Sequence, residues 1–294
     1  MSDFEGVVPA IATPMGNDGR FNEEVFRKIV EFNIEAGVHG FWVAGGTGES
    51  VLLDDDENKQ IASAIVDQSG GRAKVIMHVG APTTDRAARL AEHASKVGAD
   101  ALCCVPPFFY RRGEDEIAEH YRIVAGAADL PLFVYNLPGA TGVEITPGMM
   151  KKIQDRVPQL KGLKHSALTF SNVRTFSKMG LSCFIGNHRL MLPAMTIGAC
   201  GCVDGPLNIL PELWVAIWEA YQADDLKAAE AAQEKGAAAY EALSVGGGFH
   251  SVIKAALSER LGVECGDPRT PGTPMSDEQR AKIRETMKGL MASI

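Results

Sequence analysis

The stretch "VGADALCCV", residues 97–105, sets a single glycine between two kinds of pattern. A helical pattern runs over Thr84–Lys96 before it, and a short apolar run of strand type, Ala101–Pro106, follows it. A residue just past a helix wants the left-handed conformation, which glycine adopts without a side-chain clash, so Gly98 reads as a helix stop. "AGVHGFWV" (36–43) and "IGACGCVDG" (197–205) repeat the arrangement with Gly37 and Gly198. Repeated helix-stop, strand-start punctuation favours βα units with parallel strands.

Working outward, strand candidates lie at Gly6–Thr13, Gly40–Ala44, Lys74–Gly80, Ala101–Pro106, Leu132–Asn136, Gly162–His165, Ser182–Gly186 and Gly201–Val203. Helical patterns separate them, near Asp54–Gln68, Asp115–Ala127, Pro147–Arg156, Asn172–Met179, Leu190–Ile197 and Pro211–Tyr221. The pattern at Asn22–Glu35 places Val25, Phe26, Ile29 and Val30 on one face. Eight strand–helix pairs predict a (β/α)8 TIM barrel over residues 1–222, with an open doubly wound sheet as the alternative. Strand signals stop after about Ala223. "DDLKAAEAAQEKGAAAYEAL" is rich in helix formers, and further helical patterns lie near Ser251–Leu261 and Ser276–Ala292. Residues 223–294 therefore read as a C-terminal helical extension packed on the barrel.

Apolar residues make up 46% of the 294 and charged residues 22%, as in an ordinary globular protein. A net charge of −8 argues against nucleic acid or an anionic membrane as partner, since both need a basic face. No apolar run approaches the roughly 20 residues that span a bilayer. "MSDFEGVVPA" lacks the basic and apolar regions of a signal peptide, so the expected location is cytoplasmic. Six cysteines lack the paired spacing of a zinc site and read as small buried hydrophobes, with no metal expected.

Barrel active sites collect at the C-terminal ends of the strands. Those ends read "AGGTGES" (strand 2), "PPFFY" (4), "VYNLPGATG" (5), "GLKHS" (6), "IGNHR" (7) and "CVDGPLN" (8). Lys164, Tyr135 and Thr47 would face one mouth. Desolvation disfavours a charged amine, so a lysine buried there is suited to attack a ketone as the neutral nucleophile. A tyrosine can donate and accept the proton, and the glycine-rich loop with the Thr47 hydroxyl suits a carboxylate. Each residue also has a plain reading: a lysine that snorkels to solvent, a half-polar core tyrosine, a turn before a helix.

Taken together, "GTGES", "YNLPGATG" and "GLKHS", with "PAIATPM" and "HVGAPTT", resemble the dihydrodipicolinate synthase / N-acetylneuraminate lyase family over essentially the whole chain. The resemblance implies a Schiff-base lysine at Lys164, a catalytic tyrosine at Tyr135, a carboxylate loop at Gly46 and Thr47, and a homotetramer. It implies a small-molecule 2-oxo acid substrate and no metal or organic cofactor. Ser166 and Gly186, at the ends of strands 6 and 7, join the substrate-binding candidates.

The chain departs from that pattern at several places. Gly46 stands where a threonine or serine hydroxyl joins a proton relay. The relay's second tyrosine, offered across a subunit interface, falls at Phe109 in the nearest register and at Tyr110 one residue on, and the reading takes Tyr110. Ala140 stands where the synthase of lysine biosynthesis places a carboxylate-binding arginine. His188 and Arg189 replace the acidic pair of neuraminate lyases, with Gly205 for a serine, and suggest a cationic fork for an anionic group. Asp204 reads either as a structural partner of Arg189 or as an acid–base group. The expected activity is reversible aldol cleavage to pyruvate and an aldehyde. Dehydration of a keto-deoxy sugar acid, the dihydrodipicolinate synthase reaction, and a sensor without turnover are the alternatives.

Overall fold

A computed structural model describes residues 4–244 and 246–294. Eight parallel strands lie among them: β1 (Gly6–Val7), β2 (Gly40–Val43), β3 (Lys74–His78), β4 (Ala101–Cys104), β5 (Leu132–Asn136), β6 (Leu160–His165), β7 (Ser182–Ile185) and β8 (Gly201–Cys202). Ladders join them in the order β1-β8-β7-β6-β5-β4-β3-β2. The ring closes between β1 and β2, where Ile11 N donates to Trp42 O at 3.1 Å, Trp42 N to Pro9 O at 2.9 Å and His39 N to Val7 O at 2.9 Å. Pro9 has no N–H to give a ladder, so the predicted strand Gly6–Thr13 is reduced to two paired residues and a bridge at Ala10. The chain is a (β/α)8 barrel.

Helices α1 (Glu23–Glu35), α2 (Asp55–Ser69), α3 (Thr84–Val97), α4 (Glu114–Gly126), α5 (Pro138–Thr141), α6 (Pro147–Arg156), α7 (Asn172–Lys178), α8 (Met191–Thr196) and α9 (Pro211–Gln222) surround the sheet. Several starts are capped by side chains: Asn22 accepts from Val25 N, Thr83 from Arg86 N, and Asp54 forms a capping box with Glu57. Gly37, Gly98 and Gly198 all take positive φ, +86°, +93° and +105°, as their places in the sequence require. Among the described α-helices, the short α5, within "NLPGATG", lies outside the predicted ones. Helices α10 (Leu226–Ala242), α11 (Phe249–Leu261) and α12 (Asp277–Met291) form the C-terminal part. No described helix is long and apolar enough to cross a membrane.

Strand side chains alternate between two cores. Leu132, Val134, Leu163 and Cys183 face the helices, while Phe133, Tyr135, Cys103, Trp42, Phe184 and Phe4 fill the barrel. Leu163 faces out, so Lys164 must face in. The neighbouring register sets it opposite Tyr135.

Candidate active site

Lys164 is 3% exposed and has no ion-pair or hydrogen-bond partner among the described residues. Its Nζ stands 4.5 Å from the centre of the Tyr135 ring and 5.7 Å from that of Trp42. Aromatic faces attract a cation, but they leave the nitrogen without the charged partner that burial of an ammonium ordinarily demands. That cost is tolerable where the amine is meant to react. Gly186 makes the space: a Cβ there would lie 1.9 Å from Ser166 Oγ and 3.1 Å from Lys164 Cε. The glycine thus admits the Ser166 hydroxyl beside the lysine.

The loop after β2 supplies the facing wall. Two non-glycine residues in it, Ala44 at φ +50° and Glu49 at φ +61°, hold a left-handed backbone that costs energy unless the surroundings enforce it. Thr13 Oγ1 donates to Gly48 O at 2.9 Å, and the Glu49 carboxylate is gripped from the C-terminal part. Its Oε1 forms a buried ion pair with Lys254 Nζ on α11 at 2.6 Å, and its Oε2 accepts from Arg269 N at 2.7 Å. Lys254 also donates to Asp267 O at 3.0 Å. Between these anchors, Thr47 is 6% exposed and its Oγ1 lies 2.9 Å from the point a Cβ on Gly205 would occupy. A Cβ on Gly46 would lie 3.4 Å from Tyr135 Oη. Lys164, Tyr135, Thr47, Gly46, Ser166, Gly186 and Gly205 therefore share one mouth.

The other candidates fall elsewhere. His188 is buried, with its ring centre 4.7 Å from that of Tyr240 and 5.5 Å from that of Trp214. Its N and Nδ1 both reach Asp204 Oδ2, at 2.9 and 2.8 Å, and Gly205 N donates to Asp204 Oδ1 at 2.8 Å. Arg189 is half-exposed and turns to Glu241, 3.8 Å away. The expected fork of His188 and Arg189 does not form, and the partner of Asp204 is His188 rather than Arg189. Burial pushes the Asp204 carboxyl up, but the hydrogen bond and charge of His188, with the Lys164 charge, outweigh it and hold the group below its ordinary range. Phe109 (φ +77°) and Tyr110 are 85% and 67% exposed and stack edge-to-face on each other.

Residues missed in the sequence complete the surroundings. His78, at the end of β3, packs edge-on against Tyr135 and has no partner for Nε2. Burial lowers its pKa to about 4, and the Lys164 charge adds to the shift while a hydrogen bond to the Ala44 backbone opposes it. Period-two alternation from Ile76 would have found it. His250 of α11 contacts Gly46 across 204 residues of sequence, which no local pattern foretells. All six cysteines are free, and burial pushes the Cys183 thiol up to about 12 and that of Cys265 to about 11. No group of three or more His, Cys, Asp or Glu among the described residues is arranged to hold a metal ion.

The sequence model of the Dihydrodipicolinate synthetase family matches residues 3–290. The chain belongs to this family. An uncharacterised DapA-like lyase of Halobacterium salinarum is 33% identical over 98% of this chain and 94% of its own length. The 4-hydroxy-tetrahydrodipicolinate synthase of Methanothrix thermoacetophila is 31% identical over 97% and 96%. The solved structure of a catalytic lysine mutant of Ruminococcus gnavus sialic acid aldolase superposes with a TM-score of 0.94, at 25% identity, covering 99% of this chain and 97% of that one. As a member of the Dihydrodipicolinate synthetase family the chain is a lyase, and its fold is that of the TIM-barrel aldolases.

Proposed function

We propose that the chain forms a Schiff base between Lys164 and a 2-oxo acid, and cleaves its substrate reversibly to pyruvate and an aldehyde. The observation that carries this reading is the buried, unpaired Lys164 amine set against Tyr135. The amine attacks the ketone carbon, water leaves, and the iminium draws the electron pair of the adjacent C–C bond as it breaks. Thr47 and its loop hold the substrate carboxylate, and Tyr135 carries the proton at the reacting centre. Relatives named as synthases keep the dihydrodipicolinate synthase reaction as an alternative. Against it, exposed Ala140 offers no cation for a second carboxylate.

With Arg189 engaged by Glu241, the charged group left beside Gly205 is the Asp204 carboxylate, itself bonded to His188. It favours a neutral, hydroxylated tail over an anionic one. Val51, Leu52, Phe109 and Tyr110 are large exposed apolar side chains suited to contact between copies of this chain, in keeping with a homotetramer. The decisive test is pyruvate with borohydride, followed by peptide mass spectrometry. One reduced adduct on Lys164 and on no other lysine is expected, and none in Lys164→Ala or Lys164→Arg. Labelling that survives in Lys164→Ala would overturn the proposal.

A further inference from the structure

Gly46 brings two proton-bearing groups together at one residue. Its absent side chain leaves the Tyr135 hydroxyl facing open space, at 3.4 Å from the position a Cβ would take. Its carbonyl oxygen is held by His250 Nε2 at 2.9 Å. A carbonyl oxygen only accepts, so Nε2 is the protonated nitrogen, and in the neutral ring Nδ1 carries the lone pair. Tyr135, Gly46 and His250 line one cavity of about 210 Å³, together with Thr141 and His78. The volume has room for several waters, each of which occupies about 30 Å³ in the liquid.

We propose that His250 is the proton carrier behind Tyr135, exchanging protons with its hydroxyl through this cavity and passing them to solvent. This rests on the Schiff-base reading above. As the C–C bond breaks, its electron pair moves to the iminium nitrogen and leaves a neutral enamine. The proton of the substrate hydroxyl passes to Tyr135 Oη while the tyrosine's own proton moves on to His250 Nδ1. The positive charge is thereby transferred from iminium to imidazolium. The reverse transfer protonates the enamine carbon and restores the iminium.

The neighbours of His250 leave it as the group suited to the task. His78, from β3, is buried and held neutral with its pKa lowered to about 4. Glu49, from the loop after β2, and Lys254, on the same helix as His250, neutralise each other in a buried pair. Lys164, from β6, is the nucleophile in this reading, and Tyr135, from β5, is the group being served. His250 is half-buried at the start of α11, where it reaches both cavity and solvent. An imidazole can accept a proton at one ring nitrogen while it donates from the other.

Exchange of the pyruvate methyl protons in D2O, followed by NMR, reads this proton transfer with pyruvate alone. Wild-type enzyme is expected to exchange them at a rate that depends on pD. His250→Gln keeps an N–H for the Gly46 carbonyl but cannot carry a proton. It should slow exchange about 10²-fold, the lower end of what a positioned proton carrier contributes, and lose that pD dependence. Borohydride trapping at Lys164 should persist in the variant. Absence of trapping in the wild type would overturn the Schiff-base reading. Trapping without exchange in the wild type, or His250→Gln retaining the pD dependence, would overturn the role of His250 alone.

Discussion

Replacing Lys254 by methionine tests how the C-terminal helices hold the carboxylate loop. The Lys254 and Glu49 side chains are each 1% exposed, so removing the ammonium leaves a carboxylate buried with one remaining donor, Arg269 N. Removing one partner of a buried pair costs about 3–5 kcal/mol, because the other charge stays desolvated. For a protein of this size that is a fall in Tm of about 5–8 °C. The pair is not therefore a net gain for the fold. Burial lowers the Lys254 pKa even though Glu49 opposes the shift, so desolvation exceeds attraction at the lysine. The double variant Lys254→Met, Glu49→Gln removes both charges, keeps an acceptor for Arg269 N, and should regain at least half of the lost stability. The midpoint of urea unfolding, compared among wild type, both single variants and the double, measures the coupling. A loss below about 1 kcal/mol for Lys254→Met, or a double variant no more stable than that single, would refute the reasoning.

Arg189→Ala should change KM less than about fivefold with any keto acid the enzyme cleaves, since exposed ion pairs contribute about 0–1 kcal/mol; a tenfold rise in steady-state assays would restore Arg189 to the pocket. Acid stability should follow the buried histidines. His78 and His120 are each held near a pKa of about 4, chiefly by burial, whereas unfolded chain takes up protons near pH 6.5. Stability therefore falls as pH drops from about 6.5 to 4, by about 1.4 kcal/mol per unit for each histidine. His120→Gln should remove one proton's worth of that slope in urea midpoints taken across the range, and an unchanged slope would contradict it.

The barrel was legible because its signals are local. A glycine at a helix end, an N-cap such as Asn22 or Thr83, and a short apolar run each act within a few residues, and chain order alone then dictates parallel pairing. Lys164 and Tyr135 were legible for the same reason, since alternation along β6 and β5 turns both inward at adjacent strand ends. The far end of the mouth was not. His188 and Arg189 are neighbours in sequence, yet one packs between Trp214 and Tyr240 while the other turns to Glu241 in the solvent. Which way each points is decided by α9 and α10, elements remote in sequence. Asp204 met His188 instead of Arg189 because the imidazole and the adjacent backbone N–H reach the same carboxylate oxygen.

The division into barrel and extension hides the closest dependency in the site. A Cβ on Gly205 would lie 2.9 Å from Thr47 Oγ1, 2.6 Å from Phe249 Cζ and 2.8 Å from Ile253 Cδ1. Phe249 and Ile253 belong to α11, so this helix has closed onto the end of β8 as far as a glycine permits. The same first turn carries His250 onto Gly46, and the next carries Lys254 onto Glu49. A serine at position 205, as the resemblance to neuraminate lyases would place there, must displace the ends of the Phe249, Ile253 and Thr47 side chains. The first two displacements fall on the first turns of α11, which carry His250, while Lys164 and Tyr135 stay in register on their own strands. Gly46, Gly205 and His250 therefore act as one coupled set, in which α11 brings in an imidazole where the loop after β2 has no side chain.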